Sequence, residues 1–156
     1  MSGNITRGWG NSRVISAKVC PTQLDKTSST ALTTVTGCSH KLLAGVTYII
    51  EAHITGTATA NGGAKAAIAG DGILSANFFT MRGTNTNGAT TNAVSTTTTL
   101  GTAVGASTAV LTDMIHLGAI SVLKPGVASL QFAQNASHAD TSSAYVGSYV
   151  KFTPVS

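Results

Sequence analysis

Charge is scarce in this chain. Of 156 residues only 9% are Asp, Glu, Lys or Arg, against about 25% in an ordinary globular domain. Nine Lys and Arg face five acids, a net charge of +4, and they are scattered singly, with a small excess at Arg7, Arg13 and Lys18. A nucleic-acid binder clusters its cations and interleaves exposed aromatics along a groove; neither feature is present, so no nucleic-acid partner is expected. Aromatic residues are few, with one Trp, three Tyr and four Phe, which leaves Tyr145 and Tyr149 as the candidate pair for a sugar platform. The two cysteines, Cys20 and Cys38, have no Cys-x-x-Cys pattern, which argues against a zinc site. A disulfide between them is possible; buried free thiols are the expectation. No apolar run approaches the 18 or so residues of a membrane span. The start, "MSGNITRGWG", has no apolar core of a signal peptide. The chain is therefore expected to be made in the cytoplasm, without a membrane partner.

Thr, Ser, Asn and Gly carry the polarity instead, with Thr and Ser together about a quarter of the chain. Thr is β-branched and suits a pleated, half-buried surface, and no stretch has the periodicity of an amphipathic helix. Low charge with many small polar groups also fits a surface pressed against neighbours. Residues 1–12 read as a short Gly-rich arm whose natural anchor is Trp9, and residues 13–156 as a single β domain.

Short strands separated by turn signals follow. "RVISAKV" places Ile15, Ala17 and Val19 on one face and ends at Pro21. "TALTTV" leads to Gly37. "HKLLAGVTYIIEAHIT" bends at Ala44-Gly45 into the clearest strand, with Tyr48, Ile50, Ala52 and Ile54 on one face and Thr47, Ile49, Glu51 and His53 on the other. "AKAAIA", "ANFFTMR", "DMIHLGAISVL", "VASLQFAQ" and "AYVGSYVKF" complete about eight strands. Regular spacing of this kind points to a sandwich or barrel. The stretch 83–107 is too rich in Thr, Asn and Gly to supply core. The recurrence of Val94, Leu100 and Val104 favours an extended hairpin packed on a neighbouring subunit over a structureless loop.

Candidate chemistry is thin. The acids Asp25, Glu51, Asp71, Asp113 and Asp140 fall on different strands or turns, so no local motif announces the facing carboxylates of a glycosidase. His40, His53, His116 and His138 lack metal-ligand spacing. No Gly-x-Ser-x-Gly elbow occurs, and Gly62-Gly63 precedes a strand, not a helix, so it is no phosphate loop. Glu51 and His53 share a strand face; the expected role is a polar contact on an outer or intersubunit face, the alternative a metal or acid–base pair. Tyr145 and Tyr149, read as sharing one strand face, are likewise assigned to the core or a subunit contact. Asn135 and Asp140 read as turn formers, His138 as a surface contact, and Gly147 as a bulge in the last strand. No catalytic residue, metal or cofactor is expected.

Three stretches, "SSTALTTVTGCSHKLLAGVTYIIEAHI", "GGAKAAIAG" and "LQFAQNASHADTSSAYVGSYVKF", resemble a β-rich domain of tailed-bacteriophage structural proteins. The likeness lies in Ala44-Gly45, Thr47-Tyr48, Glu51-Ala52, Ala67 to Gly70, Ala133 to Ser137 and Gly147-Ser148-Tyr149. Cys38 and His40-Lys41 depart from the pattern. The resemblance implies an antiparallel jelly-roll-like β-sandwich assembled as a homotrimer on a virion. The expected role is a capsid decoration (cement) protein on the outer head surface, with the major capsid protein as partner. The alternative is a fibre or spike component that touches the host. Arg7, Trp9 and Arg13 are the expected capsid contacts, and Glu51, His53, Tyr145, Tyr149 and Leu100 the expected subunit contacts.

Overall fold

Alternation with period two along most of the chain becomes an all-β, antiparallel, sandwich-like architecture. The computed structural model describes residues 16–71, 75–87, 90–107 and 110–155. Within them lie twelve strands and no helix: β1 (Ser16–Val19), β2 (Leu24–Thr27), β3 (Thr33–Leu42), β4 (Thr47–Ala58), β5 (Ala64–Gly70), β6 (Ser75–Asn87), β7 (Thr90–Thr97), β8 (Val104–Ser107), β9 (Leu111–Lys124), β10 (Gly126–Ala133), β11 (Thr141–Ala144) and β12 (Tyr149–Pro154). The larger sheet runs β1-β12-β4-β9-β6-β7, with β11 joining β4 to β2; the smaller runs β3-β10-β5-β8.

The core fills from the inward residues of both sheets. Tyr48, Ile50, Ala52 and Ile54 of β4 are all buried, as the alternation requires, and meet Val150 and Phe152 of β12 and Met114 and Ile120 of β9. From the other sheet come Val35, Cys38 and Leu42 of β3, Ile68 of β5, and Leu130 and Phe132 of β10. Fully burying one large apolar side chain contributes roughly 1.5–3 kcal/mol, so this shared core accounts for why the two sheets stay together. His40 belongs to the same layer, stacked on Phe152 with ring centroids 5.8 Å apart and with Nδ1 3.0 Å from Ser16 Oγ. Burial, with Lys18 nearby, lowers its pKa.

Four readings of the sequence change here. The strands number twelve among the described residues, because residues 24–27, the stretch after Gly83 and the connection 135–144 hold strands of their own. In β1, Ala17 and Val19 share a face as expected, but it is the exposed one, Val19 at 55%; Ile15 lies outside the described residues. The stretch 83–107 does form a hairpin, β6–β7, and then supplies core after all, with Val104 buried and Leu100 half-buried against the chain's own interior. Finally, "AYVGSYVKF" is not one bulged strand. Ala144 closes β11, the Ser148 N–H donates to the Tyr145 carbonyl across a turn, and Gly147 sits at φ +92°, a conformation that favours glycine.

Cys20 and Cys38 are fully buried and free. Burial pushes the Cys38 thiol up to about 11, which keeps it out of the reactive thiolate form. A thiol reagent at neutral pH is expected to label neither cysteine in the folded chain and both in denaturant. Rapid labelling of the native protein would contradict this burial.

Candidate interaction face

Three sets of side chains need placing: the histidines and acids, the expected contact residues, and the apolar residues the core does not use. Hydrogen-bond register settles most of them. On the outward side of the larger sheet one row crosses the strands as Val19, Tyr149, His53, Ile115, Thr84 and Val94. The next runs Ala17, Lys151, Glu51, Leu117, Arg82 and Thr96. Glu51, His53 and Tyr149, predicted to make subunit contacts, thus come together on this face. Lys151 Nζ donates to Glu51 Oε2 at 2.6 Å. His53 Nε2 lies 2.9 Å from Asp113 Oδ1, which also accepts the Thr55 hydroxyl at 3.1 Å. The Tyr149 ring meets His53 edge-on at 6.0 Å. These polar contacts are only part-buried, so each contributes no more than about 1 kcal/mol; their effect is to hold the polar part of the face in one arrangement.

Between the pairs stand large apolar side chains with nothing over them in the single chain: Ile49, Phe78, Val94, Ile115 and Leu117, from 42% to 55% exposed. The sequence reading passed over most of them, although a signal was there. In "DMIHLGAISVL" Met114 and Ile120 point inward while Ile115 and Leu117 point outward, and apolar residues on both faces of a strand mark a sheet covered on both sides. The smaller sheet differs. Its outward residues on β3 and β10 are Thr34, Ser39, Lys41, Ser129 and Gln131, with Val127 the one large apolar side chain among them.

The other expected contacts fall elsewhere. Tyr145 lies in the turn after β11, with its N–H donated to the Thr55 carbonyl at 2.8 Å, so it does not share a strand with Tyr149. Leu100 lines a shallow cleft of about 280 Å³ with Ala76, Phe78, Phe79 and Thr99. Arg7, Trp9 and Arg13 lie outside the described residues.

The acids remain apart. Asp25 accepts hydrogen bonds from Ser143 and Gln23, Asp71 accepts the Val127 N–H, and Glu51, Asp113 and Asp140 pair with Lys151, His53 and His138. Among the described residues no three His, Cys, Asp or Glu converge as metal ligands. The connection after β10 is organised by a residue the sequence reading did not single out, the fully buried Gln134. Its Oε1 accepts the Ser29 N–H at 3.0 Å, and its Nε2 donates to the His138 and Asp140 carbonyls. Next to it, His138 Nδ1 sits 3.1 Å from both the Asp140 amide and its carboxylate. Asn135 contributes its backbone, donating its N–H to the Gly62 carbonyl.

One polar pair lies inside. His116 and Asn85 are fully buried on the inner face of β9 and β6. His116 Nε2 meets the Val104 carbonyl at 3.3 Å, while His116 Nδ1 and both amide atoms of Asn85 lack a protein partner. What the geometry offers, then, is a broad outward face of mixed apolar and paired polar groups. Set against known proteins, the chain matches no family model, no curated protein and no solved structure.

Proposed function

We propose that this chain is a virion structural protein, a decoration protein that binds the outer surface of a bacteriophage head as a homotrimer and stabilises the shell. The observation that carries the reading is the order of the strands. With the β2/β11 pair and the β6–β7 hairpin set aside, eight strands remain in two rows, β1-β12-β4-β9 and β3-β10-β5-β8. They pair antiparallel from the outside of the chain inward: β1 with β12, β3 with β10, β4 with β9 and β5 with β8. A long hairpin wrapped into two sheets, the jelly roll of many capsid domains, has this nesting. It supports the fold that the resemblance implies. Low charge and the exposed apolar face support self-association, and closed symmetry would cover sheet edges that otherwise invite aggregation.

The mechanism is binding, without catalysis or cofactor. A trimer seated where capsid subunits meet adds contacts across weak seams, and many symmetric copies multiply the effect. The arm, with Arg7, Trp9 and Arg13, is assigned to the capsid contact. A second reading, a fibre or spike component, draws on the β6–β7 hairpin, which carries Val94 and Thr96 exposed at the sheet's edge.

Density for this chain on intact particles decides between them: coverage of the head at capsid stoichiometry is expected, and a position on a fibre at low copy number would favour the second reading. Deleting residues 1–12 is expected to abolish capsid binding while leaving self-association intact; unchanged binding would remove the arm from the mechanism.

A further inference from the structure

We infer that the outward face of the larger sheet, centred on Ile115 and Leu117, is the surface through which one copy of this chain packs against another. This rests on the self-association in the reading above and specifies where it happens.

Size is the first argument. Six strands at about 4.8 Å spacing, and about nine residues at 3.3 Å each, span roughly 24 by 26 Å, or about 600 Å² before side-chain relief is counted. A standard stable interface takes about 800 Å² from each partner. The largest apolar patch on a monomer is often functional, and here Ile49, Phe78, Ile115 and Leu117 stand exposed on adjacent strands of one face. The smaller sheet offers only Val127 of that kind on β3 and β10.

Charge identifies the occupant. The face carries two acids, Glu51 and Asp113, and two bases, Lys151 and Arg82, so it is neutral on a chain of net charge +4. An acidic partner such as nucleic acid would select a positive face, and a basic partner a negative one. A neutral face packs against neighbouring copies of the same chain around a symmetry axis without like-charge repulsion. Glu51 is paired with Lys151, and the Asp113 carboxylate is hydrogen-bonded within the chain by His53 Nε2 and the Thr55 hydroxyl, so covering the face leaves these groups with partners. Arg82, exposed beside Leu117 in register and without an ion pair among the described residues, is the group left to reach across. Arg is also over-represented among the residues that dominate interfaces.

Sedimentation of the full chain over a wide concentration range tests this, with L117K, I115K and, on the other sheet, V127K. All three positions are exposed, and circular dichroism checks that each variant keeps its β signal. The wild type and V127K are expected to assemble alike, while L117K and I115K associate at least about tenfold more weakly. Assembly that survives both L117K and I115K, or that V127K abolishes, overturns the assignment. A wild type that stays monomeric throughout, yet loses capsid binding on L117K, would give the face to the capsid protein instead. The decoration reading fails separately, if an assembled chain is absent from the head.

Discussion

Gly56→Ala is expected to destabilise the fold by roughly 3 kcal/mol or more, a large share of the 5–15 kcal/mol that holds a typical domain folded. Gly56 lies in β4 where β11 crosses it, with Ala144 directly opposite. A Cβ there would overlap the Ser143 carbonyl oxygen and press within 3.1 Å of the Ser143 carbonyl carbon and 3.4 Å of the Ala144 Cα. Every one of these atoms is backbone, so no rotamer change relieves the clash and β11 must move away. With it would go the Tyr145 N–H to Thr55 bond, the Ser148 hydroxyl to the same carbonyl, and the 2.6 Å bond from Ser143 to Asp25. Gly45→Ala is the comparison. Gly45 sits at φ +75° with nothing near its missing Cβ, so the cost is backbone strain alone, about 1–2 kcal/mol. Urea unfolding of both variants measures the difference. A Gly56→Ala protein within about 0.5 kcal/mol of the wild type would mean that β11 does not lie against β4 as described.

Acid is expected to weaken the fold through His116. Burial depresses its pKa from 6.5 to about 4; the bond to the Val104 carbonyl opposes that and the nearby His53 adds to it slightly. Between those two values the unfolded chain binds a proton that the folded chain refuses, so stability rises with pH across the window. The contribution is fully present above pH 6.5 and is lost as pH falls through about 4. The shift corresponds to about 3 kcal/mol at about 1.4 kcal/mol per unit. His40, also depressed by burial, adds loss in the same direction. Asp25 acts lower, since its hydrogen bonds from Ser143 and Gln23 hold its pKa below 3.8. His116→Gln keeps an N–H donor for Val104 and removes the titration, so its unfolding free energy should change much less between pH 7 and pH 4. Equal slopes for the two proteins would show that His116 does not stay neutral inside. The absence of protein partners for His116 Nδ1 and the Asn85 amide makes this region costly to assemble, a reason to expect the substitution to be tolerated.

How much of this could be read from residues alone varies from strand to strand. The all-β class was legible, because Thr-rich alternation with frequent Gly and few charged helix formers leaves the backbone one economical way to satisfy its hydrogen bonds. β4 was legible almost residue by residue, since one face is wholly apolar and the other mixed. β11 was not. "TSSA" has no apolar alternation, and its burial comes from lying between β2 and the end of β4, which no local pattern encodes. Glu51, His53 and Tyr149 could be nominated as surface contacts from their strand face. That they meet through β12 pairing with β4 depends on register between segments about a hundred residues apart.

The opposite errors have the same origin. Val104 and Leu100, embedded in a polar stretch, looked too isolated to be core. The chain folds that stretch back so that β8 pairs with β5 and Val104 reaches the interior. Local composition determined which residues favour strands and where turns fall, because propensity and period act over a few neighbours. Which strands pair, which apolar residues lie inside, and which are left on an open face were decided by the tertiary structure. Each of those depends on a partner strand distant in sequence, and shifting a strand by one residue turns every side chain to the other side.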